Sequence, residues 1–154
     1  MAKPNPKSVL SIDVGRRRVG LAGCDPLGIT VSRLPAIHRK SFDEDLNIVR
    51  IHCETRKVEG LVVGIPLDQD GSLTRQAKYC QQYGQRLAKK LFLPIAWVNE
   101  HSSSWAAGEK YHLQNDRSGQ LDSAAAVLLL DQWLKEGPEL KPVNMPAYPI
   151  GQVD

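Results

Sequence analysis

The 154-residue chain is poor in cysteine and aromatic side chains, carries little excess charge, and contains no long apolar run. Its three cysteines, Cys24, Cys53 and Cys80, are odd in number, widely spaced and without a C-x-x-C pair, which argues against a disulfide scaffold and for reduced interior residues. The four histidines, His38, His52, His101 and His112, are equally scattered. Neither a zinc finger nor an H-E-x-x-H helix can be assembled from them, and structural zinc is not expected. No stretch reaches the roughly eighteen apolar residues of a membrane span, and Met1 to Ser8 lacks the apolar core of a signal peptide. A cytoplasmic protein with no membrane partner is expected. Twenty Lys and Arg against seventeen Asp and Glu leave +3, too mild for a wholly basic nucleic-acid binder but compatible with a locally basic face.

What is present suits one soluble domain: 42% of residues are apolar and 24% charged. VLSIDV at 9–14 is a β-branched run ended by Gly15, and VGLAGCD at 19–25 resumes the pattern after a basic turn, which predicts a hairpin. A third extended piece is expected near Gly28 to Leu34. Helical spacing follows over Phe42 to Lys57, through Leu46, Val49 and Cys53. GLVVGI at 60–65 reads as a strand stopped by Pro66, Ser72 to Leu91 as a helix, and PIAWV at 94–98 as the next strand. Ser104 to Leu113 is expected as a short helix, and Gln120 to Lys135 as a helix apolar almost all round. Strands alternating with helices imply an α/β fold, and the unbroken apolar character of GLVVGI implies a central sheet covered on both faces. The last eighteen residues hold four of the ten prolines, so 137–154 reads as a dispensable proline-rich C-terminal tail beyond an 8–136 core.

Three acids stand at the ends of these elements: Asp13 closing the first strand, Glu100 just past PIAWV, and Asp122 in the first turn of the apolar helix. In α/β sheets functional groups collect at strand ends, and a helix dipole favours a carboxylate in the first turn. Taken singly, each also reads as an ordinary turn or helix-start acid. Their context is more specific. D-V-G-R-R-R-V-G-L-A (13–22), V-V-G-I-P-L-D-Q-D-G-S (62–72), N-E-H-S-S-S (99–104) and L-D-S-A-A-A (121–126) occur in one order, and together they resemble the YqgF/RuvX family over roughly residues 8–136. That family comprises small RNase H-like domains, described as Holliday-junction-resolvase-like and as nucleases trimming precursor small-subunit rRNA.

The resemblance implies an RNase H-like α/β domain with a mixed five-stranded sheet flanked by helices. It also implies metal-dependent hydrolysis of phosphodiester bonds. Asp13, Glu100 and Asp122 would take the family's acidic positions and bind one or two Mg²⁺ or Mn²⁺ ions. The chemistry agrees, because hard cations take oxygen ligands and a metal pair stabilises both attacking and leaving oxygens of an in-line displacement. No Ser-His-Asp or Cys-His arrangement competes for the work. Arg16, Arg17 and Arg18, in the turn after Asp13, would bring guanidinium groups to a nucleic-acid backbone. Asp70, in the loop after GLVVGI, and Arg117, before Asp122, are further substrate-contact candidates.

The chain departs from the family in two places. Neutral Asn99 stands where an acid is common, so Glu100 is the stronger ligand of the pair. A lysine-poor stretch, Leu113 to Gln120, precedes Asp122. Both departures keep a second reading open: a nucleic-acid-binding protein of the same fold that cuts weakly or not at all. A fragment of an actin-like or sugar-kinase ATPase is a third reading, disfavoured because those enzymes clamp ATP between two domains. Precursor rRNA is the favoured partner and branched DNA the alternative, since phosphate contacts carry little sequence information. The oligomeric state stays open.

Overall fold

A computed structural model of the chain describes residues 5, 7–67, 70–100 and 120–143, with the side chains of 120–122 excepted. Three strands come first: β1 (Val9–Val14), β2 (Arg18–Cys24) and β3 (Val31–His38). They are followed by α1 (Phe42–Arg56), β4 (Gly60–Ile65), α2 (Arg75–Leu91), β5 (Ile95–Asn99) and α3 (Gln120–Glu136). The strands form one mixed sheet in the order β3-β2-β1-β4-β5. β1, β2 and β3 are joined antiparallel, whereas β4 and β5 add in parallel to β1. Each parallel step needs a crossover, which α1 and α2 supply.

Side-chain alternation divides the core into two layers. Leu10, Ile12 and Val14 of β1, with Leu61, Val63 and Ile65 of β4, pack with Leu46 and Val49 of α1 and with Ala77, Cys80 and Leu87 of α2. Val9, Val62, Ala96 and Val98 face the other way, against Ala126, Leu129, Leu130 and Trp133 of α3. GLVVGI is therefore buried throughout because helices cover both of its faces. Helix α1 starts at Ser41, whose hydroxyl accepts the Glu44 N–H, and α2 starts at Thr74, which accepts the Ala77 N–H at 2.9 Å. The three cysteines are free, as their spacing implied.

Two expected boundaries shift. Asp25 accepts backbone N–H groups from Leu27, Ile29 and Thr30, closing a turn where an extended piece was read, so β3 begins at Val31 and reaches His38. Helix α2 begins at Arg75 instead of Ser72, because Thr74 is its cap and Asp70 and Ser72 form a turn before it. The short helix expected over Ser104 to Leu113 lies outside the described residues.

The start of the proline-rich segment is packed. The Trp133 indole donates to Pro138 O at 2.6 Å, and Leu140 sits over Gly60. Lys141 and Ile95 exchange two backbone hydrogen bonds of 2.8 and 2.9 Å, so this segment lies along β5.

Candidate active site

β1, β4 and β5 run parallel, so their carboxyl ends lie at one margin of the sheet. On β1, Val9 packs into the α3 layer and the Ser11 hydroxyl donates to Ala126 O of α3 at 2.7 Å. Asp13 is the next residue of that alternation, half-buried at the strand end and opposite Gly20 of β2. On β5, Ala96 and Val98 face α3, and Glu100 follows with its amide donating to Ile65 O at 3.1 Å.

Gly64 marks where the Glu100 carboxylate lies. A methyl built on Gly64 would stand 2.5 Å from Glu100 Oε1 and 2.9 Å from both terminal carbons of Leu129. Oε1 thus occupies the space over β4 that any larger residue would fill. Cys80, on α2, senses both acids. Burial first, then the charges of Glu100 and Asp13, push its thiol up to about 12. Two half-buried carboxylates from sequence-distant strands therefore share one end of the sheet.

Helix α3 carries the third position. It crosses the sheet from β2 and β3, where the Ser123 hydroxyl meets Leu21 and Leu34, past Ser11 of β1 at Ala126, to Gly64 of β4 at Leu129. Asp122 precedes Ser123 and stands four residues before Ala126 and seven before Leu129, so its position heads the helix stripe that meets the sheet. Its side chain lies outside those described. Among the described residues no group of three or more His, Cys, Asp or Glu gathers at a point. The described part of the site is the pair Asp13 and Glu100, an all-oxygen donor set with space kept by a glycine, which fits a hard divalent cation better than a soft one.

The basic turn is built to be firm. The Gly15 N–H donates to Arg18 O at 2.9 Å, and a methyl on Gly15 would lie 2.6 Å from that oxygen, so the tight turn requires glycine. Arg16 and Arg17 are exposed and Arg18 is half-buried, paired with His38 of β3. Arg39, which the sequence reading did not single out, braces this turn. Its backbone N–H donates to Arg17 O at 2.8 Å and its guanidinium to Gly15 O at 3.0 Å. The same guanidinium lies 3.7 Å from buried Asp45, over the Tyr79 and Tyr83 rings, while Tyr83 donates its hydroxyl to Asp45 at 3.0 Å. The run His38-Arg39-Lys40 gave no local cue, since the contacts come from α1 and α2.

Asp70 is exposed and accepts the Ser72 N–H at 3.0 Å, and this hydrogen bond holds its carboxyl below the ordinary range. Nothing described joins it to Asp13 or Glu100. Arg117 and His101 lie outside the described residues. Trp97 and Trp133 are buried and belong to the core, as expected; Trp105 lies outside the described residues.

A mixed sheet of this order, with helices on both faces and acids at the parallel strand ends, defines the RNase H-like class. Solved structures of Thermus thermophilus RuvC share the fold. The chain covers 88% of itself and 99% of RuvC bound to a Holliday junction, with TM-score 0.59 and 15% identity. Against a second RuvC structure the same coverage holds at TM-score 0.52 and 13% identity. Within that class, the RuvX family, described as Holliday junction resolvase, matches residues 7–136, and the chain belongs to it. A relative from Prochlorococcus marinus strain MIT 9313 is 68% identical over 152 residues, 99% of this chain and 94% of its own length. One from Synechococcus sp. strain CC9902 is 65% identical over 148 residues, covering 96% and 90%. Both carry the name of candidate pre-16S rRNA nucleases.

Proposed function

We propose that this protein is a divalent-metal-dependent nuclease that cuts phosphodiester bonds in structured nucleic acid, with the precursor of 16S rRNA as its substrate in the cytoplasm. The observation that carries the reading is the meeting of Asp13 and Glu100 at one sheet end, with the Glu100 carboxylate seated over Gly64. Family membership and the names of the relatives support the nuclease activity and the rRNA substrate. Among the described residues no helix is long and apolar enough to cross a membrane.

Asp13, Glu100 and Asp122 would hold Mg²⁺ or Mn²⁺, which supplies a water nucleophile at neutral pH and stabilises the leaving oxygen. The half-burial of both described acids limits competition from solvent for their oxygens. Arg16, Arg17 and Arg18 contact the backbone beside the scissile bond, and the Arg39 brace keeps their turn from yielding under that load. Recognition through phosphates selects shape rather than sequence.

The test is incubation of the full chain with end-labelled precursor rRNA and with four-way DNA junctions, in Mg²⁺, Mn²⁺ or chelator. Metal-dependent trimming of the rRNA, lost in Asp13→Asn, is expected. Cleavage of the junction alone would reassign the substrate. Binding of both without cleavage would make this chain a non-cutting member of its family, the reading that Asn99 and the lysine-poor stretch before Asp122 favour.

A further inference from the structure

We infer that Ser123 is a positioning residue: its hydroxyl, wedged into a bulge between β2 and β3, sets the first turn of α3 and thereby the place of Asp122. The inference rests on the reading of Asp122 as a metal ligand and adds the device that holds it.

Ser123 is 1% exposed, one of few buried polar side chains among the described residues. It donates to Leu34 O at 2.7 Å and lies 3.4 Å from the Leu21 N–H as acceptor. One hydroxyl thus joins α3 to two strands. The place where it does so is irregular. Val19 pairs with Ile37 but Leu21 pairs with Leu34, so two steps along β2 face three along β3. The extra residue falls at Pro35–Ala36, and Pro35 has no N–H to offer a ladder. A small side chain that is donor and acceptor at once suits such a gap, and serine is the smallest that qualifies.

The rest of the sheet-facing surface of α3 cannot do this work. Ala124, Ala126, Leu129, Leu130 and Trp133 are buried and apolar, and apolar packing is non-directional, tolerant of small slides and rotations. Two side-chain hydrogen bonds between sheet and helix add direction: Ser11 to Ala126 O, and Ser123 to Leu34 O. The first fixes the middle of the helix. The second lies one residue from Asp122, so it governs the turn whose placement matters for a ligand. Outer partners of metal ligands commonly carry about 10–100-fold in metal affinity.

The experiment uses the full chain with Thr, Val and Ala at position 123, and Asp122→Asn as reference. Thr and Val have nearly the same shape and differ in the hydroxyl, which separates the hydrogen bond from packing. Mn²⁺ binding is measured by calorimetry and by electron paramagnetic resonance, and metal-free melting is recorded alongside. Expected are near-normal Mn²⁺ affinity in Ser123→Thr and a loss of about tenfold in Ser123→Val and Ser123→Ala. Affinity that follows metal-free stability, alike in Thr and Val, would overturn the role of Ser123 while leaving Asp122 a ligand. Should Ser123→Val not fold, the Ala and Thr pair gives the same comparison. Unchanged Mn²⁺ affinity in Asp122→Asn would overturn the metal-site reading itself, and this inference with it.

Discussion

Gly64→Ala is the smallest change that tests whether the Glu100 carboxylate is held where chemistry needs it. The added methyl would lie 2.5 Å from Oε1 and 2.9 Å from two carbons of Leu129. Comfortable contacts between heavy atoms lie at about 3.5–4.0 Å, so the shortfall at Glu100 is about 1 Å. Leu129 is 0% exposed and has nowhere to go, while Glu100 is half-buried at a strand end, so its carboxylate is what gives way. Overpacking costs about 1–3 kcal/mol, and in a chain of this size each kcal/mol lowers Tm by about 2–4 °C. A misplacement of about 1 Å in a reacting group can cost about 100-fold in rate. Gly64→Ala is thus expected to melt several degrees lower without metal and to cleave labelled precursor rRNA about 100-fold more slowly. A cycle with Glu100→Ala isolates the contact. With that carboxylate gone only Leu129 resists the methyl, and the stability cost should shrink by at least about 0.5 kcal/mol. Wild-type melting and cleavage in Gly64→Ala, or strict additivity in the cycle, would refute the reasoning.

Replacing Arg17 and Arg18 by Ala should weaken RNA and DNA binding alike and flatten the salt dependence, by a slope of about 0.7 per lost phosphate contact on single strands and about 0.9 on duplex DNA; an unchanged slope in filter binding would place the turn away from the substrate. Cys80 should make the fold alkali-sensitive. Its folded-state pKa, raised from 9.0 to about 12, gives stability that is complete below pH 9 and lost as pH rises toward 12. Cys80→Ala should therefore flatten the fall of unfolding free energy over that window by at most about 1.4 kcal/mol per pH unit, as read from urea melts. Cys53, pushed up to about 11 by burial, contributes in the same direction and remains in that variant. Truncation after Val143 should leave cooperative melting intact. Truncation after Glu136 should lower Tm, since it strips Leu140 from Gly60 and leaves the Trp133 indole and Ile95 amide without partners, at about 1–3 kcal/mol for each orphaned group. Equal melting of the two truncations would show that the packed segment contributes nothing.

Much of this architecture was legible because periodicity is local. The unbroken run GLVVGI announced a two-sided sheet, and the helical spacing of Ala77, Cys80, Gly84 and Leu87 announced the buried face of α2. Asp13 and Glu100 were found as acids at strand ends, and the sheet order brings them to one margin. What stayed hidden depends on contacts distant in sequence. The bulge at Pro35 appears only when β2 lies beside β3, and the value of Ser123 only when α3 crosses that bulge. Arg39 looked like one basic residue among several until Asp45 and Tyr83 surrounded it. The expected tail misled for a related reason: four prolines signal the absence of regular structure, but an irregular segment can still pack, as Leu140 and Lys141 do.

The two outer strands bear on how the protein behaves in crowded solution. An open sheet offers each lateral strand as a template on which another chain can add and begin an aggregate. Here β3 is broken by a bulge at a residue lacking an N–H, and β5 is already engaged by Lys141. A newcomer must either match an irregular template or evict a bound segment before it can pair. The chain thereby keeps a long, flat, two-sided sheet without becoming a seed for its own polymerisation, and loss of the segment after Gly137 would reopen the β5 side first.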